Sequence, residues 1–139
     1  MNTISTEQHD FLSTRFVANL ATADANGTSY VVPICFAVDG DDCYIVTSDN
    51  NRRARNVREN PQAAMVADHY EDDWKRIGYV VIRGRAELLE SGPEHEKAAQ
   101  LLRTRYPQFE NMDPVEERLM LVIRVEHATG WGVLAGSGG

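Results

Sequence analysis

The sequence predicts a mainly β fold with helices (α+β), in which six antiparallel strands form a barrel and three helices lie between them. Short runs rich in β-branched and aromatic residues are separated by turn signals such as Asn26-Gly27. Residues 78–89 alternate between apolar and polar side chains, which is typical of a strand with one buried face. The 139 residues show neither an internal repeat nor a linker, so we expect a single domain, 1–139.

The first half of the chain is expected to supply two helices and three strands. Ser5 and Gln8 have the spacing of a capping box, which predicts the start of a helix. Pro33 has no backbone N–H to donate to a neighbouring strand. We therefore expect it on an edge strand, at a bulge, or where the backbone faces something other than a neighbouring strand. Asn60-Pro61 ends the second helix, because the residue before proline avoids the helical region. The predicted elements are a helix from about residue 5, strands at 16–22, 30–38 and 43–47, and a helix at 51–59.

The second half is expected to supply three more strands and the third helix. Ser91 and Glu94 repeat the capping-box spacing before a helix that continues to about Arg105. Asp113-Pro114 predicts a short helical turn, and the glycine-rich residues at about 135–139 predict a disordered tail. The predicted strands are 63–68, 78–89 and 119–125, with a polar loop at 68–75 after the first of them.

Charge and composition exclude several classes of function. With 21 acidic and 14 basic side chains the formal charge is −7, which disfavours nucleic acid as a partner. No stretch approaches the roughly 18 apolar residues of a membrane span, and residues 1–10 do not resemble a signal peptide. We therefore expect a cytoplasmic protein with no membrane partner, in which Cys35 and Cys43 are reduced and buried.

The segment 51–61 contains the clearest candidate site. Four arginines (52, 53, 55 and 58) fall within seven residues of an otherwise acidic chain. At the start of a helix they would combine guanidinium forks with free backbone N–H groups, an arrangement that binds phosphate. Composition alone leaves the alternative of a solvated basic helix face slightly favoured. The four histidines lack metal-ligand spacing, and we expect no metal site.

Several motifs in a fixed order resemble the pyridoxamine-phosphate-oxidase-like superfamily of split β-barrels. The resemblance covers nearly the whole chain and extends to the subgroup that depends on coenzyme F420, an 8-hydroxy-5-deazaflavin. The motifs are the run 16–22, Asp24-x-Asn26-Gly27, Val32-Pro33-Ile34-Cys35-Phe36, the basic helix 52–61 ending in Asn-Pro, the segment 66–74, and Thr129-Gly130-Trp131.

The resemblance implies a six-stranded split barrel of the FMN-binding type and a cofactor site at the interface of a homodimer. It places the cofactor phosphate against the basic helix and the ring along two strands, and it brings exposed aromatic residues to the partner's cofactor. Many relatives have lysine where this chain has Arg53, which still binds phosphate but with a different geometry. The implied cofactor-binding residues are Pro33, Ile34, Val46, Thr47, Ser48, Arg52, Arg53, Arg55, Asn56, Trp74, Lys75 and Trp131.

The function implied by the resemblance is an F420-dependent oxidoreductase that transfers a hydride between the bound cofactor and a small organic molecule. An FMN-dependent oxidoreductase is the alternative, although arginines beyond the phosphate site, such as Arg55 and Arg58, favour the anionic tail of F420. A non-catalytic protein that binds a flavin, a deazaflavin or haem is also left open. Hydride chemistry belongs to the cofactor ring, and we identify no catalytic side chain.

Overall fold

The computed structural model describes residues 3–112 and 114–133 of the chain. Seven strands form one sheet in the order β2-β1-β5-β6-β7-β4-β3, in which all neighbouring strands are antiparallel. The elements are α1 Thr6–Ser13, β1 Ala18–Ala23, β2 Ser29–Ile34, β3 Ala37–Asp39, β4 Asp42–Thr47, α2 Arg52–Glu59, β5 Gln62–His69, β6 Gly78–Leu89, α3 Pro93–Arg105 and β7 Leu119–Gly132, with short 3₁₀ helices at Trp74–Arg76, Pro107–Asn111 and Val115–Glu117. The predicted tail at 135–139 lies outside the described residues.

The sheet is rolled into a barrel. Its two edge strands are joined by a short covalent connection rather than by hydrogen bonds between them. β2 and β3 are the two edges of the sheet, yet only Cys35 and Phe36 connect them. Such a short link forces the edges together. β3 pairs with β4 only from Asp42 to Tyr44, so within the described chain no strand pairs with residues 45–47 of β4 on that side. We call the gap between β2 and residues 45–47 the split.

The expected mixed fold is confirmed, but the strand count and several boundaries are corrected. The strand predicted at 30–38 is two strands, because the chain passes at Cys35 and Phe36 from one edge of the sheet to the other. The strand predicted to end at 125 continues to Gly132, where it pairs with Gly78 of β6. Periodicity in the sequence shows that a segment is extended, but not which strand it pairs with. A segment that changes its pairing partner therefore has no sequence signal, and this explains both differences.

Two apolar clusters hold the barrel and its outer helix together. The inner cluster contains residues of all the strands except β3, together with Phe11 and Leu12 of α1 and Val57 of α2. The outer cluster packs α3, through Ala98 and Leu102, against β3, β4 and β7. As a result α2 and α1 contact the interior of the barrel, whereas α3 covers one outer face.

Local turn and cap chemistry confirms part of the predicted signals. The capping box at Ser5 and Gln8 is present. The capping box predicted at Ser91 is wrong, because Gly92 is the N-cap residue, with φ of 105°, and no side chain caps α3. Asn26-Gly27 does connect two strands, but only Gly27 has positive φ, since the Asp24 carboxylate holds a longer turn by accepting from two backbone N–H groups.

β7 changes partner along its length. Its first half pairs with both β4 and β6, whereas beyond a register shift opposite Arg83 and Gly84 it pairs with β6 alone. The backbone of β7 passes so close to Gly84 that a Cβ there would collide with the Arg124 carbonyl. The second half of β7 therefore extends beyond the barrel and carries Trp131 with it. No helix in the described ranges has the length and apolar character needed to cross a membrane.

A candidate anion and cofactor site at the split

The four arginines of the basic segment occupy two different faces of α2. Ala54, Asn56 and Val57 are buried, and Arg53 lies on the same side of the helix in a half-buried position. Arg52 and Arg55 are exposed on the opposite side. The helical spacing therefore turns one arginine inward and the others outward.

Arg53 is held at the split with part of its guanidinium unsatisfied. Its Nη2 donates to the carbonyl oxygen of Val46, 3.1 Å away on β4. Its Nε is buried and has no hydrogen-bond partner in the described chain. Burial lowers the pKa of the Arg53 guanidinium, and the positive charge of nearby Arg118 lowers it further, while Tyr30 of β2 opposes this. A guanidinium that keeps an unused, buried donor is a feature expected of an anion site.

Hydroxyl and amide groups at the end of β4 complete this side of the site. Ser48 Oγ donates to Asn51 Oδ1 at 2.8 Å, and Asn51 Nδ2 donates to Thr47 Oγ1 at 3.2 Å. Asn51 is the N-cap residue of α2, yet its side chain makes no capping hydrogen bond. The start of α2 thus presents backbone N–H groups, with their positive dipole end, beside Ser48 and Arg53.

The two strands that border the split offer backbone groups to a flat ligand. β2 pairs with β1 alone, so its other edge has unpaired backbone groups in the part of the chain that is described. Residues 45–47 of β4 present a second such edge. Pro33 is exposed on β2, and Ile34 is buried against the barrel interior. Facing edges with an apolar floor can accept a heterocycle that needs hydrogen bonds along its rim.

Two of the remaining predicted residues of α2, Asn56 and Arg58, have partners of their own in the described chain, whereas Arg52 and Arg55 do not. The amide of Asn56 is buried and donates to Thr22 Oγ1 at 3.0 Å, which anchors α2 on β1. Arg58 is paired with Asp49 at 2.7 Å and donates to the Asp49 carbonyl oxygen at 2.9 Å. Arg52 and Arg55 make no side-chain hydrogen bond or ion pair with the described residues, so both are available to an anionic ligand.

The aromatic residues expected near a cofactor lie far from Arg53 in the same protomer. Trp131 stacks on Tyr79 with ring centroids 5.8 Å apart, and Trp74 Nε1 donates to Tyr70 Oη at 3.2 Å; Lys75 is exposed beside them. These residues lie at the Gly78 end of β6, whereas Thr47 lies near the other end, through Leu119 and Met120 of β7. Twelve strand residues span roughly 35 Å, so these side chains do not reach Arg53 of their own chain.

Two residues at the site have no signal in the sequence. Arg118 lies 65 positions after Arg53 in the chain, where a lone arginine before a strand belongs to no motif. Asn51 is beside the basic cluster, and its position before the helix signals only a cap. The thiols also differ from expectation: both cysteines are free and Cys43 is buried, but Cys35 is exposed because the link between β2 and β3 carries it to the surface.

A sheet whose edges meet without pairing, with a basic helix beside the opening, defines a split β-barrel protein. The sequence profile described as pyridoxamine 5'-phosphate oxidase matches residues 4–132, and the chain belongs to that family. The resemblance stated from the sequence is therefore confirmed. A search of curated proteins finds no match.

Solved structures with the same fold come from proteins of several kinds. The conserved hypothetical protein Rv2991 of Mycobacterium tuberculosis superposes with a TM-score of 0.79 at 20% identity, covering 94% of this chain and 86% of that one. A haem-binding protein of Mycobacterium smegmatis gives 0.78 at 20% identity, covering 91% of this chain and 52% of that one. An F420 reductase gives 0.69 at 23% identity, covering 87% and 94%. At these identities the likeness shows the fold alone.

Proposed function

We propose that the protein binds the deazaflavin F420 at the split and transfers a hydride between this cofactor and a small organic molecule. The observation that carries the proposal is that the half-buried guanidinium of Arg53 retains a buried Nε–H with no hydrogen-bond partner among the described residues, while the positive charge of Arg118 acts on it. Such a donor set fits the phosphodiester of a nucleotide-like cofactor. A solvated basic face would not place one of its arginines inward.

The residues at the split fit the separate parts of such a cofactor. Arg53, Ser48 and the N–H groups at the start of α2 would hold the phosphate. The edges of β2 and β4, with Pro33, Ile34 and Val46, would hold and orient the ring. Thr47 accepts a hydrogen bond from the side chain of Asn51 and so helps to fix Asn51. The bound deazaflavin supplies a ring carbon that accepts or releases a hydride. The chain's own contribution is to fix the ring and exclude water from one face.

The choice of F420 over FMN rests on Arg52 and Arg55. Both are exposed on the outer face of α2, and neither is committed to an acidic partner among the described residues. F420 carries a lactyl-oligoglutamate tail beyond its phosphate, and exposed guanidiniums suit those carboxylates. FMN ends at its phosphate and would leave Arg52 and Arg55 without a role.

We further propose that the protein is a homodimer joined through the outer face of β2, β1, β5 and β6. The register places Val31, Ala21 and Ala64 side by side on this face, with Val66 two residues further along β5 opposite Asn19, and Val31 is 66% exposed. None of these residues belongs to the cluster that packs beneath α3. An uncovered apolar sheet face is typical of an interface, and a second copy would bring Trp74, Lys75 and Trp131 of one protomer to the other's cofactor.

Haem binding is the alternative function that the fold allows, but His69 and His95 do not favour it. Both ring nitrogens of His69 are engaged, by Arg15 at 3.0 Å and by Glu71 at 2.8 Å. His95 is buried with its Nε2 against the Arg118 carbonyl oxygen at 2.7 Å. His69 therefore has no nitrogen free for iron, and His95 is buried. We expect the protein in the cytoplasm, because the free thiols of Cys35 and Cys43 suit a reducing compartment.

The proposal is tested by following the oxidation of reduced F420, through its visible absorbance, across a panel of organic acceptors. We expect turnover with at least one acceptor, and a raised KM for the cofactor in Arg53→Met. Arg103→Met, on the surface of α3, is the control and should leave both parameters unchanged. A Soret band with haem and no oxidation of reduced F420 by any acceptor would refute the enzyme assignment.

A further inference from the structure

A second feature of the molecule lies beyond the proposed cofactor contacts: an apolar cavity of about 670 Å³. We call it the Cys35 cavity. Three of its lining residues are among the most exposed large apolar side chains of the described chain: Phe16 at 52%, Val17 at 59% and Met112 at 58%. Its other walls include Cys35, Tyr106 and Phe109. Exposed apolar residues gathered around a concavity of this size are typical of a ligand site.

Among the described residues that line the cavity, the one charged side chain, Arg105, already has hydrogen-bond partners. Arg105 donates from Nη1 to the Ser13 carbonyl oxygen at 3.0 Å, from Nη2 to Leu12 and Arg15, and from Nε to Tyr106 Oη. Its guanidinium also lies over the ring of Phe16, 4.6 Å from the centroid. Arg105 therefore caps the end of α1 and has little left to offer an anion. A charged ligand would be desolvated here without compensation.

The aromatic walls of the cavity favour a flat ligand. Phe16 and Phe109 each meet Tyr106 edge-on, with ring centroids 5.8 Å and 6.0 Å apart. The Tyr106 hydroxyl is used internally, since it can donate to the carbonyl oxygen of Phe16 or of Phe36 and accepts from the Phe36 N–H. The rings thus form a fixed apolar surface on which another aromatic ring can stack.

The position of the cavity relates it to the split. Tyr30 is close enough to Arg53 to influence its pKa, and Cys35 follows Ile34 at the other end of β2. Five strand residues span roughly 17 Å. A cofactor whose phosphate lies at Arg53 and whose ring lies beside Pro33 and Ile34 would thus end next to the Cys35 cavity.

We propose that the Cys35 cavity binds the small-molecule substrate, and that this substrate is an uncharged, planar aromatic compound. Calling this ligand the substrate rests on the proposed function. The recognition itself depends only on residues of this chain, namely the apolar walls and the saturated Arg105.

The test uses two fluorescent probes with the same ring skeleton and cofactor-free protein. N-phenyl-1-naphthylamine is neutral, and 1-anilinonaphthalene-8-sulfonate adds one sulfonate. We expect the neutral probe to bind at least about tenfold more tightly, because no free cation repays desolvation of the sulfonate. At saturation it should also protect Cys35 from iodoacetamide. Cys43 is a silent internal reference, since burial raises its pKa to about 12.

A matched pair of variants locates the bound probe. Phe109→Ala removes one aromatic wall and should weaken the neutral probe about tenfold. Leu101→Ala truncates a half-buried apolar residue of the neighbouring cavity of about 380 Å³, on the other side of Arg105, and should change binding less than about twofold. Protection of Cys35 in the unmutated protein provides the answer should either variant fold poorly.

The outcomes separate this inference from the proposed function. Protection of Cys35 by the neutral probe, with the expected effect of Phe109→Ala, supports the inference. Equal binding of both probes, or binding that leaves Cys35 reactive, overturns it and leaves the cofactor site untouched. A monomer–dimer shift caused by the neutral probe also overturns it, because the cavity would then be a subunit interface. A failed cofactor titration beside a positive probe result refutes the proposed function instead.

Discussion

Replacing Arg53 by methionine should separate cofactor affinity from stability. The substitution keeps an unbranched side chain of similar length but removes the guanidinium and its positive charge. Charge-assisted hydrogen bonds to a phosphate are each worth about 1.5–3 kcal/mol. Loss of one such bond therefore weakens cofactor binding by roughly 10- to 150-fold. F420 and FMN should lose affinity by similar factors, because both would use Arg53 through a phosphate.

The same substitution should have little effect on folding. The protein loses the bond from Arg53 to the Val46 carbonyl oxygen, worth about 1 kcal/mol. It also loses a half-buried charge with an unpartnered Nε, which opposes folding. The two effects have opposite signs, so we expect the free energy of unfolding to change by less than about 1 kcal/mol.

Urea unfolding of the cofactor-free protein measures the stability, and a fluorescence titration measures affinity. Arg103→Met, on the surface of α3, is the matched control for loss of an arginine and should leave both affinities unchanged. The reasoning is refuted if Arg53→Met binds both cofactors normally. Destabilisation by several kcal/mol would equally contradict it, because Arg53 would then be a structural residue.

Three further predictions concern the anionic tail of F420, the proposed dimer interface and Glu94 of the outer helix α3. Arg55→Ala should weaken F420 severalfold and FMN hardly at all, and equal effects in parallel titrations would remove the argument for F420. Val31→Asp should convert a dimer to a monomer on size-exclusion chromatography, whereas Thr28→Asp in the nearby turn should not; a monomeric parent protein contradicts the interface. Glu94 accepts hydrogen bonds from Arg124 and Tyr44, which lower its pKa from 4.5 to about 2, so its contribution to stability should be complete above about pH 4.5 and be lost as the pH falls to about 2. Urea unfolding at stepped pH should show this loss, and Glu94→Gln should flatten it.

Local sequence patterns predicted the elements that keep the same packing neighbours along their whole length. The alternation in residues 78–89 located β6 to the residue, because one face of this strand packs on the core throughout. The four arginines and Asn60-Pro61 located α2 to within one residue, because the predicted first residue, Asn51, is the N-cap. In both elements, the pattern of residue types along the sequence matches the pattern of buried and exposed positions.

Features that depend on distant contacts were not predictable. No pattern in the segment 30–38 indicates that Cys35 and Phe36 connect opposite edges of the sheet, since both halves are extended and apolar. Arg118 joins Arg53 only because β7 pairs with β4, a contact between residues far apart in sequence. The exposure of Cys35 follows from the same link. The split, which defines the site, is therefore a product of topology.

The most direct test of the central claim is a fluorescence-quench titration of purified, cofactor-free protein with F420 and, in parallel, with FMN. We expect saturable binding of F420 that is clearly tighter than that of FMN, because only F420 would engage both Arg53 and the exposed arginines of α2. Tighter binding of FMN would contradict the assignment of the deazaflavin. Binding of neither cofactor would contradict the anion site itself, and α2 would be a solvated basic helix.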